Sequence, residues 1–203
     1  MTPLEKYQAD LARPEFVRDP AQEEAVRALD HLYHRLLEDR PAKGLLARLR
    51  KSKRQPFKGL YMWGGVGRGK TYLMDVFFEC LPFEEKRRMH FHRFMQKVHR
   101  QLRDRQGEKN PLTSIAREFA ARYRVLCFDE FFVTDITDAM ILGTLMQTLF
   151  DQGVTLVTTS NDEPDGPYKD RRQRARFPPA LERADPHTRG MKGGRGQRPR
   201  APP

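Results

Sequence analysis

Apolar positions along this chain fall into two rhythms, and the alternation between them outlines a fold. Residues 1–18 are polar and read as extended. Asp19-Pro20 then has the form of a helix start, an acidic N-cap followed by proline at the first helical position. Ala25, Val26, Leu29, Leu32, Tyr33, Leu36 and Leu37 follow at helical spacing. Gly59 to Trp63 is a short apolar run, and Thr71 to Cys80 carries Leu73, Met74, Val76 and Phe77 at helical intervals. Arg88 to Phe91 reads as a second strand. Helices are predicted over Arg93 to Arg105, ended near Gly107, and over Pro111 to Ala121. Val125 to Phe128 is wholly apolar and runs into Asp129-Glu130. Thr134 or Asp135 caps a helix through Phe150, and Gly153 turns the chain into Val154 to Thr158, which ends at Thr159-Ser160-Asn161. Short apolar strands alternating with helices predict a parallel, doubly wound α/β sheet flanked by helices.

The rhythm fails in two places. Residues 41–58 hold Lys43, Arg48, Arg50, Lys51, Lys53 and Arg54 around Leu45, Leu46 and Leu49, and read as a solvated basic connection. After Asn161 large apolar residues become rare, and residues 162–203 hold 8 of the 15 prolines. Such a segment buries too little to order itself beyond its first part. The organisation expected is residues 1–58, an N-terminal helix and basic connection; 59–181, a core; and 182–203, a disordered Pro/Gly/Arg-rich tail.

Composition narrows the setting. The net charge of +11 permits nucleic acid, anionic membrane or acidic protein partners without choosing among them. Cys80 and Cys127 lie in apolar segments and read as buried free thiols, as a reducing compartment would allow. No apolar run reaches the roughly 18 residues that span a bilayer. The first residues show no apolar signal region, so a cytoplasmic location is expected.

The chemistry concentrates in residues 64–71, Gly-Gly-Val-Gly-Arg-Gly-Lys-Thr, which match the phosphate-binding loop G-x-x-x-x-G-K-[ST]. A strand before and a helix after supply the geometry this loop needs, with backbone N–H groups at a helix N-terminus facing phosphate. Gly64, Gly65, Val66, Gly67, Arg68 and Gly69 would form the cradle, Lys70 would reach the β- and γ-phosphates, and the Thr71 hydroxyl would ligate Mg²⁺. Asp129, ending an apolar strand, is the expected second Mg²⁺ holder, through water, and belongs to the nucleotide site. Glu130 beside it can orient and deprotonate the attacking water. Such a pair favours a hydrolase over a small-molecule kinase. Asn161 ends the next strand, where a polar residue can touch both γ-phosphate and water. Arg174 or Arg176 is a candidate arginine finger toward a neighbouring subunit's nucleotide. His90 and His92 read as a packing or surface pair two apart on a strand, since no further ligand lies at metal-site spacing. Asp135 and Asp138 read as N-cap and first-turn charges.

Three runs, residues 59–71, His-Phe-His-Arg-Phe-Met at 90–95 and Leu-Cys-Phe-Asp-Glu-Phe-Phe-Val-Thr-Asp-Ile-Thr-Asp-Ala-Met at 126–140, closely resemble the ZapE cell-division ATPases, relatives of the mitochondrial AFG-type AAA+ ATPases. The resemblance covers roughly residues 5–181 and implies an AAA+ P-loop module that hydrolyses ATP with Mg²⁺. It also implies FtsZ or other division-ring proteins as partners, a homo-oligomer for the full-length form, and work at the inner face of the cell membrane. Lys70, Thr71, Asp129, Glu130 and Asn161 fall on matching family positions, and Gln22 lies in a matching segment where it would read adenine or cap a helix. The family continues with a fifth core strand and a helical lid bearing a second sensor arginine, whereas Asp185 to Pro203 resembles nothing in it. By that comparison the core is incomplete, the lid is absent, and strand 59–63 keeps one open edge. Two other readings stand beside the ATPase: a truncated form that binds nucleotide with impaired catalysis, and a nucleic-acid-associated ATPase suggested by charge.

Overall fold

A computed structural model describes residues 1–39, 57–64, 69–161 and 188–192. The basic segment 41–56 and the tail around 188–192 therefore lie outside the described residues, as do Arg174 and Arg176. In chain order the elements are α1 (Pro3–Leu11), α2 (Pro20–Glu38), β1 (Gly59–Trp63), α3 (Gly69–Cys80), β2 (Lys86–His90), α4 (Phe91–Asp104), α5 (Pro111–Arg122), β3 (Val125–Asp129), α6 (Ile136–Asp151), β4 (Thr155–Ser160) and β5 (Thr188–Lys192).

Local chemistry explains where these begin. Asp19 caps α2 by accepting from the Ala21 N–H with Pro20 at the first position, and Asp135 caps α6 by accepting from Thr137 and Asp138. Helix α1 corrects the reading of residues 1–18 as extended. Thr2 and Glu5 form a reciprocal capping box around Pro3, and Tyr7 is buried in the core with Leu4 and Leu11 packed beside it. A second correction concerns β2, which runs from Lys86 and ends at His90. His92 therefore lies in the first turn of α4 and does not share a strand face with His90.

The strands form one parallel sheet in the order β2-β3-β4-β1-β5. Period-two alternation sends neighbouring strand residues to opposite faces, and both faces are apolar. Val125, Cys127 and Val157 join α1, α2 and α3 on one side, while Leu126, Phe128 and Leu156 join α4, α5 and α6 on the other. Cys127 is fully buried, and burial pushes its thiol above the usual pKa; Cys80 is free too but only half-buried.

Strand β5 corrects the expectation of an open edge. Gly59 to Trp63 pairs with β4 on one side and in parallel with Thr188 to Lys192 on the other. The expected disorder of 182–203 fails at these five residues. The reason is that a ladder is made by backbone groups. Thr-Arg-Gly-Met-Lys contains no proline, so every residue can donate, and the unpaired edge of a central strand favours any extended segment that reaches it.

Candidate active site

The ends of β1, β3 and β4 are adjacent, and Gly64, Asp129 with Glu130, and Asn161 lie at them. Gly64 leaves β1 with its N–H donated to Ser160 O at 3.2 Å. Gly65, Val66, Gly67 and Arg68 lie outside the described residues. The chain re-enters as α3 at Gly69 and Lys70, both buried, with Thr71 exposed. Lys70 is only 7% exposed, and its Nζ donates to Gly64 O at 2.9 Å. Burial pulls the ammonium below its usual pKa, and the charge of Glu130 opposes that shift in part.

Asp129 ends β3, one strand away from β1 across β4. Both of its oxygens are engaged by Arg88 of β2, from Nε at 2.6 Å and Nη2 at 3.1 Å. The third arm of the same guanidinium donates to Asp75, on α3. Burial disfavours the Arg88 charge, but the bonds to Asp129 and Asp75 outweigh it and raise the pKa further above its usual range. The oxygen donors Thr71 and Asp129 are of the hard type that Mg²⁺ takes.

Glu130 has φ +55°, a left-handed conformation that among the described non-glycine residues only Asn110 shares. Three bonds from the end of β4 hold it there. Thr159 Oγ1 accepts from the Glu130 N–H at 3.1 Å, Thr159 O accepts from the Phe131 N–H at 2.7 Å, and the Ser160 hydroxyl donates to Phe131 O at 2.8 Å. The turn throws the Glu130 side chain outward, 67% exposed, where His90 Nε2 donates to it at 2.7 Å. Asn161 follows β4. It shares with His90, Phe91, His92, Glu130, Phe131 and Phe132 an open cleft of about 390 Å³. His92 accepts from Gln96 at 3.1 Å, and among the described residues no group of three or more His, Cys, Asp or Glu could hold a metal. Asp138 accepts from His99 at 2.7 Å, away from the carboxylate pair. Gln22 is buried in the first turn of α2, where Asp19 makes the cap. Arg88 and Asp75 were not among the residues expected from the sequence, and His90 was expected only as part of a packing or surface pair. The signal available was Lys86-x-Arg88-x-His90 on a strand, three basic residues sharing one face.

The AFG1-like ATPase family matches residues 1–200, which corrects the expectation that the resemblance stops near residue 181 and that Asp185 to Pro203 resembles nothing in it. Cell division protein ZapE of Escherichia coli K12 is 50% identical over 198 residues, which cover 92% of this chain and 53% of ZapE. An uncharacterised protein of Schizosaccharomyces pombe is 37% identical over 214 residues, covering 89% of this chain and 47% of its own length. The chain thus spans about half the length of the curated relatives it matches. Among solved structures, DnaI aligns with TM-score 0.60 over 88% of both chains at 16% identity, a likeness of fold alone. With the phosphate-loop motif, the acidic strand end and the P-loop sheet order all in place, the chain belongs to the AFG1-like ATPase family.

Proposed function

We propose that this chain is the ATP-binding and ATP-hydrolysing AAA+ module of a ZapE-like protein. The observation that carries the reading is the adjacency of three strand ends. Gly64 with Lys70, Asp129 with Glu130, and Asn161 leave neighbouring strands at the same edge of one parallel sheet. Lys70, buried and desolvated, meets the β- and γ-phosphate charge more strongly than an exposed lysine would. Thr71 and Asp129 would hold Mg²⁺, which supplies charge neutralisation of the phosphates when bound. Glu130, projecting from its turn, accepts a proton from the attacking water, and Asn161 orients that water across the same cleft. His90 holds the Glu130 carboxylate meanwhile. Arg176 or Arg174 would serve a neighbouring subunit's nucleotide in a homo-oligomer.

The E. coli relative is a cell division protein, which supports a division role here, with FtsZ or other division-ring proteins as partners and a cytoplasmic place at the inner membrane face. No described helix is long and apolar enough to cross a membrane. The test is steady-state ATP turnover with Lys70→Ala and Glu130→Gln. Lys70→Ala should cut ATP affinity at least tenfold, about 1.4 kcal/mol. Glu130→Gln should retain ATP and lose on the order of 10²-fold in turnover. Turnover that survives Glu130→Gln would remove that residue from the mechanism.

A further inference from the structure

Each acid at the end of β3 is held by a basic residue of β2, and the tighter grip has no part in the chemistry above. Arg88 pairs in register with Cys127, so its side chain lies on the sheet face that α3 covers. Its fork meets both Asp129 oxygens, at 2.6 and 3.1 Å, and its remaining arm meets Asp75, one helical turn after Thr71. A two-point contact of this kind fixes the plane of a carboxylate and leaves a further lone pair on each oxygen. It also sets the local charge. Two carboxylates and one guanidinium leave a net charge of −1, the charge Asp129 would carry alone.

We infer that Arg88 is a positioning residue. It orients the Asp129 carboxylate, and as the resident cation of the Asp75–Asp129 pair it keeps these acids from taking a divalent cation before nucleotide arrives. The inference rests on the nucleotide-site reading above. Without Arg88 the pair carries −2 beside the phosphate-loop helix. Two hard carboxylates freed of their counter-charge suit Mg²⁺ or Mn²⁺ on their own. Nucleotide phosphates entering without metal would meet the extra negative charge, so binding would depend more heavily on Mg²⁺.

The test uses the full chain, Arg88→Met and Arg88→Lys. Melting of the nucleotide-free protein is measured with and without MgCl₂ or MnCl₂, and ADP affinity by calorimetry with Mg²⁺ and with EDTA. Wild-type melting should ignore the divalent cation. Arg88→Met should melt lower, recover on adding the cation alone, and raise the ratio of the ADP Kd in EDTA to that in Mg²⁺ about tenfold, the scale of one charge-assisted contact. Arg88→Lys keeps the charge but reaches one carboxylate at a time, and should fall between the two; it carries the test if Arg88→Met does not fold. Folded variants whose melting ignores the cation and whose ratio equals wild type would make Arg88 a plain structural ion pair and overturn the inference. A different result separates the underlying reading: if wild-type ADP binding ignores Mg²⁺, or Asp129→Asn leaves its Mg²⁺ dependence intact, the assignment of Asp129 to the metal fails, and the role of Arg88 with it.

Discussion

The left-handed backbone at Glu130 makes a prediction whose sign is unusual. At φ +55° a Cβ crowds the carbonyl, at a cost of roughly 1–2 kcal/mol for a non-glycine residue. Glu130→Ala and Glu130→Gly both remove the carboxylate and its exposed contact with His90, so those losses cancel in the comparison. The variants differ in the Cβ. Glycine escapes the left-handed penalty but loses roughly 0.5–1 kcal/mol more chain entropy on folding. The net expectation is that Glu130→Gly is the more stable by about 0.5–1 kcal/mol, or about 1–4 °C in a chain of this size. On an exposed helix surface the order reverses, alanine exceeding glycine by about 1 kcal/mol. Glu24, exposed on α2, supplies that control. Urea denaturation of the four variants is the assay, with ATP turnover measured in parallel. Both position-130 variants should lose turnover by on the order of 10²-fold or more. Glu130→Ala proving as stable as Glu130→Gly, while the Glu24 pair behaves normally, would refute the claim that strain is stored at Glu130.

Other perturbations follow from the packing. A Cβ at Gly59 would lie 1.7 Å from Leu156 O, on the backbone of β4. Gly59→Ala should therefore cost about 3 kcal/mol, the upper end of overpacking, read by thermal melting. Asp10 is buried and accepts from Lys6 at 2.8 Å and from the Tyr72 hydroxyl at 2.8 Å. Burial disfavours its charge, but these bonds prevail and lower its pKa. Its contribution is thus complete above the ordinary carboxylate pKa of about 4 and is lost as pH falls through the lower folded value. Asp10→Asn should flatten that acid limb and cost about 2 kcal/mol at neutral pH, by denaturation across pH. In β5, successive N–H groups point to opposite sides, so prolines at both Gly190 and Met191 must delete one that faces β1. Light scattering should then show association through the bared edge, and a double variant that stays monomeric would mean β5 does not protect it.

The fold was legible wherever side-chain pattern determined the outcome. Val125 to Phe128 is apolar at every position because the sheet is covered on both faces, and Asp19-Pro20 and Asp135 announce their helices by the bonds their side chains make. Helix α1 was legible too, through Thr2-Pro3-x-Glu5, but the polarity of residues 1–18 hid it; Tyr7, Leu4 and Leu11 suffice to bury one face of a nine-residue helix. Two features were not legible in that way, although Lys86-x-Arg88-x-His90 does place three basic residues on one strand face. Strand β5 is chosen by an open backbone edge, and backbone hydrogen bonding leaves no mark on the residue types Thr-Arg-Gly-Met-Lys beyond the lack of proline. The Asp75–Arg88–Asp129 junction joins a helix, an edge strand and an inner strand, and its existence depends on the register Arg88↔Cys127. A slip of one residue would turn Arg88 to the opposite face, toward α4 and α5, and leave both acids unpaired. The motif residues could thus be named from their order along the chain, whereas the residue that holds them in place is specified only once the strands have been aligned.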